Sequence, residues 1–187
     1  APAEVGAMAI AVDIPIRQAL MDVSEEISDV QSRNFSLIAL AQAAGRPGTG
    51  EGGPIAGLDA KKGSPRGFLQ ERLAKGTSST KSWAALALAV LERKLDENDQ
   101  TSSSESKLAL QKALSDSRAP AEVGAMAIAV GIVKNQEAKD VLREKFDKIT
   151  EPEARGFSAV ALGLMDDRGA IPMITEVLKT SKYQPDL

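Results

Sequence analysis

The chain has no cysteine and no histidine among its 187 residues, and aromatic side chains make up only 3% of it. Without cysteine there is no disulfide framework, thiol nucleophile or thiolate ligand. Without histidine the usual neutral-pH base and the imidazole metal ligand are missing as well. So few aromatics argue against a large aromatic-lined pocket. Positive charge is not in excess either: 23 basic residues face 26 acidic ones, for a formal charge of −3. The small group of Lys61, Lys62 and Arg66 is too sparse to track a phosphate backbone, so nucleic acid is not an expected partner. No signal peptide, transmembrane span or lipidation motif is visible in these 187 residues, whose start is expected to be missing. The expectation is a soluble protein, cytoplasmic ahead of periplasmic, since zero cysteine suits both compartments.

Phosphate-binding and metal motifs fare no better. Gly48, Gly50 and Gly53 formally complete a GxGxxG pattern, but a helical segment precedes them, Pro54 interrupts the next stretch of chain, and there is no GK[ST]. The carboxylate groups Glu25 with Glu26, Asp96 with Glu97 and Asp99, and Asp166 with Asp167 match no Ca²⁺-loop spacing and read as solvated or turn-forming. No catalytic, metal-ligating or cofactor-binding residue is therefore expected.

What the chain does have is repetition. Residues 1–12 (APAEVGAMAIAV) return unchanged at 119–130, through a recent duplication or an error in the sequence, which peptide mass mapping distinguishes. Five segments share a looser pattern: GAMAIAVD from Gly6, SLIALAQA from Ser36, AALALAVL from Ala84, GAMAIAVG from Gly124 and GFSAVALG from Gly156. Each opens on Gly, Ala or Ser. Alanine fills the fourth position (Ala9, Ala39, Ala87, Ala127, Ala159) and the sixth (Ala11, Ala41, Ala89, Ala129, Ala161). At 3.6 residues per turn, small residues so placed let a neighbouring helix backbone come close, and segments apolar nearly all round suit helices covered on both sides.

An amphipathic stretch comes after each such segment. Its expected buried stripes are Ile16, Leu20, Val23 and Ile27; Leu110, Ala113 and Leu114; Ala138, Val141, Leu142, Phe146 and Ile149; and Ile171, Ile174 and Leu178. The unit is thus a helical hairpin, with approximate repeats 1–30, 31–78, 79–118, 119–150 and 151–180. Thr150 with Glu153 and Ser102 with Glu105 fit capping boxes, and Ser64 precedes Pro65 as an N-cap precedes proline at the first helical position. The glycine-rich stretch 45–63 reads as an inserted spacer loop and 181–187 as a frayed tail. Trp83 abuts a packed segment and reads as structural. Asn34, Phe35 and Ser36 form a glycosylation sequon on paper, but Ser36 opens a packing motif, which favours a buried helix.

The fifth unit, Pro152 to Leu178, resembles the HEAT-repeat family, in particular the short bacterial phycobilisome-lyase type. The resemblance rests on Pro152, Glu153, Arg155, Gly156, Ala159, Ala161, Leu162, Gly163, Asp166, Asp167 and the Ala170 to Pro172 start of the second helix. The fourth unit matches with Val123 where the family often has Arg, and the second and third diverge. The resemblance implies an all-α fold, a right-handed α-solenoid (α-α superhelix, armadillo/HEAT-like) of about five hairpins over 1–187, expected to be a piece of a longer chain. It implies a non-catalytic scaffold for a protein or peptide partner. The second helices would line the binding face, with Arg17, Gln18, Asp22, Lys139, Arg143 and Lys148 as contact residues. The alternative that the same resemblance implies is a subunit of a bilin lyase or isomerase complex. Iron-dependent HEAT hydroxylases are excluded by the absence of histidine.

Overall fold

A computed structural model describes residues 15–46, 64–99 and 102–180. The 1–12 copy with its Ala9 and Ala11, the three glycines of the GxGxxG pattern and the 181–187 tail lie outside the described residues, as does all of 45–63 beyond Gly45 and Arg46. Among the described residues all regular structure is helical. The helices are α1 (15–26), α2 (Val30–Ala44), α3 (Pro65–Lys75), α4 (Ser78–Glu97), α5 (Ser104–Asp116), α6 (Pro120–Ile132), α7 (Lys139–Lys148), α8 (Pro152–Leu164) and α9 (Ile171–Thr180). Single 3₁₀ turns, Gln136–Ala138 and Arg168–Ala170, lead into α7 and α9.

Helix starts obey local chemistry, with two shifts from expectation. Ser64 Oγ accepts the Gly67 amide at 3.0 Å ahead of Pro65, as its sequence predicts. At α5, however, the cap is Ser103 and not Ser102, its hydroxyl accepting the Ser106 amide. At α8 it is Glu151 and not Thr150, its carboxylate accepting the Ala154 amide at 2.8 Å. Pro152 explains the second shift, because proline occupies the first helical position and leaves the residue before it as the cap. Asp99, Lys134 and Asp166 come after α4, α6 and α8 at φ of 56°, 48° and 52°, the left-handed turn that ends each of these helices.

Packing runs in two rows. Helices α2, α4, α6 and α8 each pack on the next member of that series, while α3, α5 and α7 contact one another in order and lean on α4, α6 and α8. An ion pair between Glu25 and Arg72 joins α1 to α3. Burial explains the first row. The sixth-position alanines Ala41, Ala89, Ala129 and Ala161 are all 0% exposed, so every described one is committed to a helix contact. The fourth-position set behaves differently: Ala87 and Ala127 are buried in the middle of the row, Ala159 is half-buried and Ala39 is exposed. Helices α6 and α8 come close together: a Cβ at Gly131 would lie 2.8 Å from Ala161 Cα. Only glycine admits that separation.

The amphipathic stripes hold in the interior and hold only in part at the ends. Leu110, Leu114, Ala138, Leu142 and Phe146 are buried, with Ala113, Val141 and Ile149 packed against them. In α1 the expected Leu20 packs against the core, but the fully buried pair is Arg17 and Met21, and Ile16 and Ile27 are exposed. In α9 Ile174 packs inward but Ile171 and Leu178 do not.

Candidate functional site

Burial decides first which polar groups are structural. Glu92 on α4 is 1% exposed, and its carboxylate accepts from Arg66 Nε at 2.7 Å, from the Ser106 hydroxyl at 2.6 Å and from the Ser103 amide at 2.8 Å. One acid therefore ties α4 to α3 and to the start of α5, with each oxygen satisfied inside the protein. Asp167, in the turn before α9, accepts a two-pronged bond from Arg143 on α7, at 2.8 and 2.5 Å. That hydrogen bond holds the Asp167 carboxyl below the ordinary aspartate value of 3.8.

These geometries place the predicted contact residues. Gln18 and Asp22 are exposed and hydrogen-bonded to each other at 2.8 Å along α1. Arg17 departs from the expectation of a solvent-facing side chain, being 6% exposed. It lies one turn before Met21, which is buried to the same extent. Arg143 is committed to Asp167, Lys148 is exposed and paired with Glu144 one turn away, and Lys139 is half-buried at the start of α7. The α1 group and the α7 group are not brought together: α3 and α5 stand between them in the second row.

What lies between them is a cleft of about 310 Å³ that no single stretch of sequence announces. Its floor is Leu73 of α3, Ala109 and Ala113 of α5, and Met126 of α6. Its rim carries both signs: Lys81 and Lys112 against Asp116 and Glu122. Lys112 Nζ meets Asp116 Oδ2 at 2.6 Å, and that bond holds the Asp116 carboxyl below its usual value. Lys145 donates to the carbonyls of Ser115 and Ser117 at 2.9 and 2.6 Å, a cation on the C-terminal end of α5 that fixes the lip of the cleft. The cleft is invisible in the sequence because it is assembled from four helices. Of its floor only Ala113 belongs to a periodic stripe, and that stripe signals packing.

The remaining sequence candidates are structural. Trp83 stacks edge-on against Phe35 with ring centroids 5.4 Å apart. Asn34 is 7% exposed and bonded to Ser79, which leaves no room for a glycan, and Ser36 is buried with it. Among the described residues no group of three or more acidic side chains could hold a metal ion, and no helix is long and apolar enough to cross a membrane.

No family model matches the chain, nor does any curated protein or solved structure. The class of protein that its own geometry defines is an all-α protein with sequential packing of helices in two rows.

Proposed function

We propose that the chain is a HEAT-like right-handed α-solenoid and serves as a non-catalytic scaffold that binds a protein or peptide along its row of second helices. The observation that carries this reading is the α3/α5 cleft, which combines an apolar floor with a rim of both charges. Such a site suits an apolar side chain flanked by charged residues on a peptide, so that burial supplies affinity and the rim sets register. Gln18 and Asp22 on one side and Lys139 and Lys148 on the other extend the same row and would add contacts along a longer partner. Arg143 belongs to the scaffold's own rigidity in this reading.

Selection from a displayed library of random peptides tests it. The expected result is enrichment of sequences with one apolar anchor between charges, and a loss of at least tenfold in affinity on Ala74→Trp. Ala74 lines the cleft yet is exposed, so the bulky ring fills the site without disturbing the core. Failure to enrich any such sequence, or unchanged affinity in the variant, overturns the proposal.

A further inference from the structure

Cations collect at the end of the protein where α1 turns into α2 and α3 into α4. A pocket of about 300 Å³ opens there, at the small end of the range that holds a ligand, and it shares no lining residue with the α3/α5 cleft. Four helices supply its walls: Glu25 of α1, Arg33 of α2, Arg72 and Lys75 of α3, and Thr77 and Thr80 at the start of α4. Three basic side chains thus stand against one acid, in a chain whose formal charge is −3.

Each of these cations has capacity for a further partner. Arg33 is half-buried, and among the described residues its side chain makes no ion pair or hydrogen bond. Its charge reaches Asp29, one turn earlier, but that carboxylate caps α2 by accepting the Ser32 amide at 2.7 Å. Arg72 lies over the Phe68 ring and pairs through one terminal nitrogen with Glu25, while its Nε is buried with no acceptor. A buried guanidinium N–H is costly to leave unbonded and calls for an oxygen. Lys75 is exposed, and its 3.1 Å bond to Glu71 one turn back is a surface pair that a more highly charged anion can displace.

The start of α4 adds donors. This 20-residue helix has no acidic residue in its first turn, so the positive end of its dipole is not neutralised from within. The Thr77 and Thr80 hydroxyls lie 3.0 Å apart, and whichever donates to the other leaves one hydroxyl hydrogen for a ligand. Guanidinium groups, an ammonium, a hydroxyl and a helix N-terminus together suit the oxygens of a phosphoryl group, whose dianion balances the charge that three cations and one acid leave over. A carboxylate brings fewer oxygens and less charge.

We propose that this pocket binds the phosphoryl group of a phosphate monoester, with Arg33, Arg72 and Lys75 holding its oxygens and the start of α4 donating to them. Phosphoserine in a peptide and a small free phosphate share this chemistry, and the test separates them.

The full chain is titrated with inorganic phosphate, a blocked phosphoserine or acetate, at one ionic strength throughout, and its amide resonances are followed by two-dimensional NMR. Saturable shifts are expected around Arg33 and residues 76–80, with acetate weaker by at least about tenfold. Arg33→Gln should lose about tenfold in phosphate affinity, while Arg33→Lys keeps most of it. Glu25→Gln removes the one acid among the described lining residues and should bind phosphate more tightly, a gain that misfolding cannot imitate. Tighter binding of the blocked phosphoserine than of phosphate supports a phosphopeptide as the source, and the reverse order a small phosphate. Acetate as good as phosphate, the absence of any saturable shift, or an Arg33→Gln chain that binds like the parent overturns the proposal.

Discussion

Gly131 and Gly163 offer a controlled pair, because each is the second-last residue of its helix and only one is covered. Replacing either by alanine removes the same backbone freedom and gains about 0.5–1 kcal/mol of helix propensity. At Gly163 nothing lies within 4 Å to oppose that gain. At Gly131 the new methyl would sit 2.8 Å from Ala161 Cα, 3.0 Å from its Cβ and 3.1 Å from its carbonyl oxygen. None of these can swing aside, so α6 and α8 must part by some tenths of an ångström, an overpacking that costs about 1–3 kcal/mol. The propensity terms cancel in the comparison. Gly163→Ala should therefore stabilise, and Gly131→Ala should lie about 1–3 kcal/mol below it. At about 2–4 °C per kcal/mol for a chain of this size, the separation is several degrees. Thermal and urea unfolding followed by far-ultraviolet circular dichroism measures it. Equal shifts in the two variants would refute the claim that α8 leaves no room for a side chain at Gly131.

The buried polar groups lead to two further outcomes. Glu92→Ala removes the ion pair with Arg66 and the acceptor of the Ser103 amide and the Ser106 hydroxyl, and should cost about 3–5 kcal/mol, readable in urea midpoints; a loss near zero would contradict the role of that acid as a clamp. Asp167 has its folded pKa depressed by Arg143, so its contribution is complete above 3.8 and fades as pH falls through the lower folded value. Asp167→Asn should accordingly melt earlier than the parent at neutral pH, with the gap closing well below pH 3.8. A gap independent of pH would show that the pair adds nothing through its charge.

Much of this is readable from residue pattern, and the exceptions have physical causes. The small-residue motif locates the packed helices, and burial of Ala41, Ala89, Ala129 and Ala161 shows that the sixth position carries the contact. The α5 and α7 stripes are equally legible, because helices with neighbours on both sides obey the 3.6-residue period strictly. At α1 the period suggests Ile16 and Leu20; Leu20 does pack against the core, but Ile16 is exposed and the chain buries Arg17 and Met21. Arginine inside a helix stripe gives no periodic signal, since its hydrophobic stem and its charge point to opposite assignments. In α9 Ile171 and Leu178 have the right period and nothing to pack on. The capping boxes miss by one residue because a string of adjacent polar residues offers more than one cap.

Residue types and their local period are enough to establish that the protein is helical, where its small-residue helices lie, and that thiol and imidazole chemistry are excluded. These properties need no knowledge of neighbours in space. Three-dimensional packing was required to learn that Arg143 is held by Asp167, that Glu92 joins three helices, that a cleft opens between α3 and α5, and that Gly163 is bare while Gly131 is filled. Each depends on which helix stands beside which. Two glycines in the same motif read identically along the chain, and differ only because one has a neighbour.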